Sequence, residues 1–221
     1  MDLLLIIIIL VVPFIADIFV KTTYRKYLKI ENNKNLTGQE VARKILDKNG
    51  LDNVYVVQTG GFLSDHYDPK RKVVRLSQSV YEGQSVASLA IASHECGHAI
   101  QDKEGYFFLK LRSFIYPVVN IATSISYYII LIGFIFELLD LVYVGIALTS
   151  LGLLFQIITL PVEFNASRRA GKEIDKLKIA SPDEKKGVKK VLTSAAFTYV
   201  AGVLASAVQI LRLLLIAKDR D

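Results

Sequence analysis

The sequence predicts a predominantly α-helical integral membrane protein with four transmembrane helices and a small α+β domain between the first two. Three observations predict it. Hydrophobic residues make up 52% of the 221-residue chain, above the usual share for a soluble domain of this size. The 27 Lys+Arg and 21 Asp+Glu are segregated from the apolar residues, which gather in four long runs. The stretch between the first two runs carries short helix and strand signals bounded by Gly and Pro.

The first apolar run extends from Leu3 to Val20, interrupted by Pro13 and Asp17. No basic residue precedes it and no small-x-small cleavage signal follows, so it reads as an uncleaved anchor. The second and third runs, Phe114 to Leu138 and Leu141 to Val162, are separated by a turn marked by Glu137 and Asp140. They form a helical hairpin. The fourth spans Leu192 to Ala217, and Ser181-Pro182-Asp183-Glu184 predicts a helix start that leads continuously into it. Each run is about long enough for the roughly 30 Å hydrocarbon core of a bilayer.

Charge sets the expected orientation. Lys21, Arg25, Lys26 and Lys29 follow the first run, and nine Lys or Arg between Arg168 and Lys190 follow the third. The positive-inside rule then places the segments 21–112 and 164–190 in the cytoplasm and both termini outside. Lys218 and Arg220 in the tail run against this, offset by Asp219 and Asp221. The basic residues read as membrane-orienting, and no nucleic-acid partner is expected, because no aromatic-basic interleaving accompanies them. The expected divisions are an anchor at 1–20, a soluble segment at 21–112, the hairpin at 113–163, a soluble segment at 164–190, and a last span with its tail at 191–221.

Within the soluble segment, Thr37-Gly38-Gln39-Glu40 fits a capping box opening a helix from Gly38 to Lys48, with Gly50 as the stop. Val54 to Val57 and Lys72 to Leu76 read as strands, and Asp65 to Lys70 as a polar turn around Pro69. Val73 to Leu76 is either an exposed sheet edge or a core strand. A helix of small residues from Gln84 to Asp102 follows.

That helix carries His94-Glu95-Cys96-Gly97-His98, and the chain has only three histidines. Histidines four apart lie on one helix face, so both imidazoles can reach one metal ion. Glu95 between them can take a proton from water beside that metal. A carboxylate in an apolar helix is costly unless it is paired or ligating, which argues against two merely structural histidines. Cys96, the single cysteine, excludes an internal disulfide and reads as a packing residue.

A catalytic zinc takes three protein ligands and one open position. The third histidine, His66, lies upstream, and no third-histidine signature follows Gly105. A carboxylate is expected, and Glu163 is favoured, because two membrane crossings after His98 return the chain to the same side. Glu104, Asp102 and Glu173 compete. Asp102, four residues past His98, suits a partner for an imidazole N–H, and Glu173 among lysines reads as a solvated ion pair.

The H-E-x-x-H helix, the hairpin and the Pro161-to-Arg169 segment resemble the membrane gluzincins of the HtpX/Ste24-like group. With Ser64 to Pro69, Val73 to Ser77 and Ala99 to Gln101, they are most similar to bacterial membrane zinc metallopeptidases of the YugP type. The resemblance covers essentially the whole chain. It implies a zincin-like cytoplasmic domain, Zn2+ as cofactor, His94, His98 and Glu163 as ligands, and Glu95 as general base. It further implies a protein or peptide substrate, hydrolysis by a zinc-activated water at the cytoplasmic face of the bacterial inner membrane, and a role in membrane-protein quality control. The HtpX/Ste24 pattern has an aspartate four residues after the ligand glutamate. This chain has Ser167 there, with Asn165 nearby. Arg168, Arg169, His66 and Tyr67 are the candidates to stabilise the oxyanion, and Asn165 or Ser167 to orient a ligand histidine. The competing expectation from the sequence is a metal-stabilised membrane scaffold, for which an intact Glu95 would have no use.

Overall fold

The computed structural model describes residues 2–219, so Arg220 and Asp221 of the predicted tail lie outside it. Among the described residues, seven helices and three strands follow one another as α1 (Asp2–Leu28), α2 (Gly38–Lys48), β1 (Tyr55–Thr59), β2 (His66–Asp68), β3 (Val73–Ser77), α3 (Gln78–Tyr81), α4 (Val86–Lys103), α5 (Phe107–Ile135), α6 (Leu139–Lys176) and α7 (Pro182–Lys218). Four of these, α1, α5, α6 and α7, are long and apolar enough to cross a membrane. Their apolar side chains are largely bare, with Leu3, Phe14 and Phe114 at 70%, 63% and 82% exposure. That is the expected state of a surface whose solvent is lipid.

The chain divides into two compact units. One comprises Met1–Asp17, Lys110–Pro161 and Thr198–Asp221. In it α5 and α6 approach closely at glycines. A Cβ on Gly145 would meet Ile130, and one on Gly133 would meet Val142. Small residues of this kind let helix backbones pack where no hydrophobic effect drives them together. The turn between the two helices closes at Glu137, in the left-handed region at φ 57°, with Leu138 N–H donating to Gly133 C=O.

The other unit comprises Ile18–Leu109 and Val162–Phe197. It contains a three-stranded mixed sheet in the order β1-β3-β2, with β1 parallel and β2 antiparallel to β3. Val73–Ser77 is therefore the central strand and not an edge, which decides between the two readings of its sequence. Four of its five residues are buried. The edge beside it is β2, inside the segment expected to be a turn. Alternation is not visible over three residues, so periodicity could not find it.

The core of this unit is the seam of α2 on α4, built from Val41, Ile45, Leu46, Leu89, Ala92 and Cys96. The α2 capping box forms as expected, Thr37 Oγ1 accepting from Glu40 N–H and the Glu40 carboxylate accepting from Thr37 N–H. Ser181 and Glu184 make the same reciprocal pair at the start of α7, and Glu184 also accepts from Asn33 N–H at 2.7 Å. Two helices run further than the apolar runs that announced them. α6 continues unbroken past Glu163 to Lys176, and α7 begins at Pro182.

Candidate active site

The site is built from two helices of one compact unit, α4 and the second half of α6. His94 and His98 stand on one face of α4 with their rings edge to face at 4.8 Å. Glu163 on α6 brings Oε2 to 3.3 Å from His94 Nε2 and 3.5 Å from His98 Nε2. The three ligand-type atoms lie within 4.8 Å of one another, a group able to hold a metal ion.

What brings α6 this close is Gly97, between Glu95 and His98. A Cβ there would sit 2.5 Å from the carbonyl oxygen of Ala166 and 3.2 Å from its Cα. Real Cβ atoms do not approach backbone so closely, so the contact requires glycine. The spacer position of the H-E-x-x-H pattern thus sets the distance between the histidines and the carboxylate.

Each imidazole is held from behind. Gln101, fully buried, accepts from His98 Nδ1–H with Oε1 at 3.0 Å. Its Nε2 donates to Val162 C=O at 2.8 Å and to Asn165 Oδ1 at 3.0 Å, which fixes the orientation of the amide. With Nδ1 committed as donor, His98 Nε2 presents its lone pair to the cluster. Asn165 Oδ1 also accepts from Arg169 Nε at 2.7 Å, and Arg169 Nη2 pairs with Glu104 at 2.6 Å. Arg169 holds the Glu104 carboxyl below its usual range. His94 Nδ1 lies 3.2 Å from Ser167 Oγ.

Several expectations change here. Asp102 does not reach an imidazole, because Gln101 one residue earlier takes that place. It accepts instead from Tyr67 Oη at 2.8 Å and Lys72 Nζ at 2.6 Å. Asn165 acts through Gln101 rather than on a histidine, whereas Ser167 contacts His94 directly. Arg169 is occupied by Glu104 and Asn165, and Arg168 is exposed. His66 bonds the Ser64 carbonyl on the exposed side of β2. Glu173 is buried, not solvated, and accepts from Lys176 and Asn49. The Cys96 thiol faces Ala42 C=O of α2, away from the cluster, and burial pushes its pKa up, so it stays a neutral packing group. Gln101 entered the sequence reading only within the Ala99-to-Gln101 stretch of the resemblance, with no role of its own.

Glu95 is 7% exposed. Burial lifts its carboxyl from 4.5 to about 7, with Glu163 and Asp65 pushing the same way and His94 opposing. The backbone N–H of Tyr67 on β2 also favours its ionised form. A dication at the cluster would favour it further.

These features fit a catalytic zinc. Two imidazole nitrogens and one carboxylate oxygen converge, and a three-ligand set leaves a tetrahedral ion one open position. The comparison with known families agrees. Residues 2–218 match the family described as "Putative neutral zinc metallopeptidase", and the chain belongs to that family. It is also 48% identical over 203 residues to "Putative membrane protease YugP" of Bacillus subtilis (strain 168), covering 92% of this chain and 90% of that protein. No solved structure matches it. Zinc is the cofactor that the family carries, and His94, His98 and Glu163 form the group able to hold it.

Two outcomes follow. Gly97→Ala should separate α4 from α6, lower unfolding stability in mild detergent by about 1–3 kcal/mol and reduce bound zinc by elemental analysis, although no ligand is touched. Zinc retained at the wild-type level would contradict the role given to Gly97. In metal-stripped protein, the raised carboxyl of Glu95 favours the fold while protonated. That contribution is full below 4.5 and is lost as pH rises through about 7. The thermal midpoint of stripped protein should fall across that interval more steeply for wild type than for Glu95→Gln, and equal slopes would contradict it.

Proposed function

We propose that the protein is a membrane-bound peptidase in which His94, His98 and Glu163 hold zinc and Glu95 is the general base. The observation that carries this reading is the convergence of three ligand-type atoms beside a buried carboxylate, Glu95, on the helix that carries the two histidines. Zinc, when bound, supplies Lewis acidity to a water molecule and to the scissile carbonyl. Glu95 takes the proton of the attacking water and passes it to the leaving amine. Gln101 and Ser167 keep the two imidazoles aimed at the cluster while this happens. Arg169, through Asn165, holds the Gln101 amide in register.

The substrate backbone lies along the open edge of β2, adding a strand to the sheet. Two features support this: β2 is an outer strand, and its Tyr67 N–H is turned toward Glu95. The domain that carries the site is read as facing the cytoplasm, a reading supported by the basic residues that follow the first and third apolar runs. Substrates are then membrane proteins or peptides with exposed extended segments at that surface, which suits quality control.

The test compares wild type, Glu95→Gln and Glu163→Ala, purified in mild detergent. The reading expects about one zinc per chain in wild type and Glu95→Gln, and loss of zinc in Glu163→Ala. Hydrolysis of an unfolded protein substrate should fall by about 100-fold or more in Glu95→Gln. Zinc retained by Glu163→Ala would remove the third ligand, and unchanged hydrolysis by Glu95→Gln would remove the base.

A further inference from the structure

The second half of α6 and the start of α7 enclose a groove of about 350 Å³ within the compact unit that holds the site. Phe164, Ile174, Val188, Leu192 and Ala196 give it apolar walls. Arg168, Lys185 and Lys189 line it too. Lys185 is paired with Asp175 at 2.6 Å, but Arg168 and Lys189 have no carboxylate partner among the described residues.

Gly171 lines the groove without filling it. A glycine inside a helix weakens it, and close packing is the usual compensation, as at Gly97. At Gly171 an added Cβ would meet nothing within 4 Å. A side chain there would project into the groove that Gly171 lines. The position is accounted for by keeping that space free.

The lining specifies the occupant. Two unpaired cations ask for an anion, and the walls ask for hydrocarbon. Along α6 and α7 the apolar members Phe164, Leu192 and Ala196 adjoin the long apolar runs, while Asp175 and Lys185 lie toward the charged ends. That is the polarity of a headgroup above an acyl chain. Ser167 lines the groove and also contacts His94 Nδ1, the ring nitrogen other than the one facing Glu163. The groove thus lies behind the imidazole rather than on the face where the ligand atoms converge, which argues against a substrate subsite. We propose that it binds an anionic phospholipid, with the phosphate between Arg168 and Lys189 and the first acyl carbons against Phe164, Leu192 and Ala196.

The chain has no tryptophan, so Thr193→Trp, at an exposed position lining the groove, gives a single fluorescent reporter. The full chain in mild detergent is titrated with phosphatidylglycerol or phosphatidylcholine, each brominated on its acyl chains. Quenching is expected at about tenfold lower mole fraction of phosphatidylglycerol. In the reporter background, Arg168→Gln with Lys189→Gln should abolish that preference. Lys186→Gln with Lys190→Gln, neighbours that do not line the groove, should keep it, and Gly171→Phe should suppress quenching by filling the space. Equal quenching by both lipids, or equal loss in the two double variants, overturns the proposal in favour of diffuse surface charge. Relief of quenching by inorganic phosphate alone overturns it in favour of a simple anion site, and relief by a soluble acidic peptide in favour of a peptide subsite.

Discussion

The backbone of α4 touches the backbone of α6 at Gly97 and Ala166, and the site depends on that contact. A metal cluster shared between two helices has tight tolerances, because ligand distances must be right to a few tenths of an ångström. The pattern H-E-x-x-H supplies two ligands and a base on one helix, but the third ligand must come from elsewhere in the fold. Here the third ligand-type group, Glu163, stands on a helix brought near by the absence of one methyl group. Ala166, itself fully buried and three residues after Glu163, completes the fit from the other side.

The same pair of helices solves the orientation of the ligands. An imidazole offers two nitrogens, and only a committed partner at one leaves the other ready as a ligand. Gln101 is such a partner because its own amide is pinned by Val162 C=O and Asn165, both on α6. A single helix-helix interface therefore positions Glu163, sets the tautomer of His98, and contacts His94 through Ser167. Neutral amide and hydroxyl groups carry these roles, and among the described residues no carboxylate stands directly behind either histidine.

Much of this was legible in the chain because its causes are local. The α2 capping box, the α7 start at Ser181 to Glu184 and the H-E-x-x-H face all follow from spacing alone, and α2 has the expected limits. Glu163 could be proposed from the order of apolar runs. What escaped was set by tertiary contact. β2 is too short for alternation, and its strand character comes from pairing with β3. The position of Val73–Ser77 at the sheet centre depends on β1 joining its other side. Gln101 and Asp102 are adjacent polar residues with the same local prospects, and only the approach of α6 decides that the first serves His98 while the second ties Tyr67 and Lys72. Gly97 occupies a variable position of its motif, so its steric role is invisible until Ala166 is placed against it.

The central claim is a zinc held by two imidazoles and one carboxylate drawn from two helices, and its most direct test is the ion's own coordination shell. X-ray absorption at the zinc edge on purified, zinc-loaded protein reads it without a substrate. The account predicts nitrogen and oxygen scatterers near about 2.0 Å, the multiple-scattering pattern of two imidazoles, and no sulfur near about 2.3 Å. Replacing Glu163 by Ala should erase the ordered shell. A sulfur scatterer, which only Cys96 or Met1 could provide, or a third imidazole from His66, would contradict it.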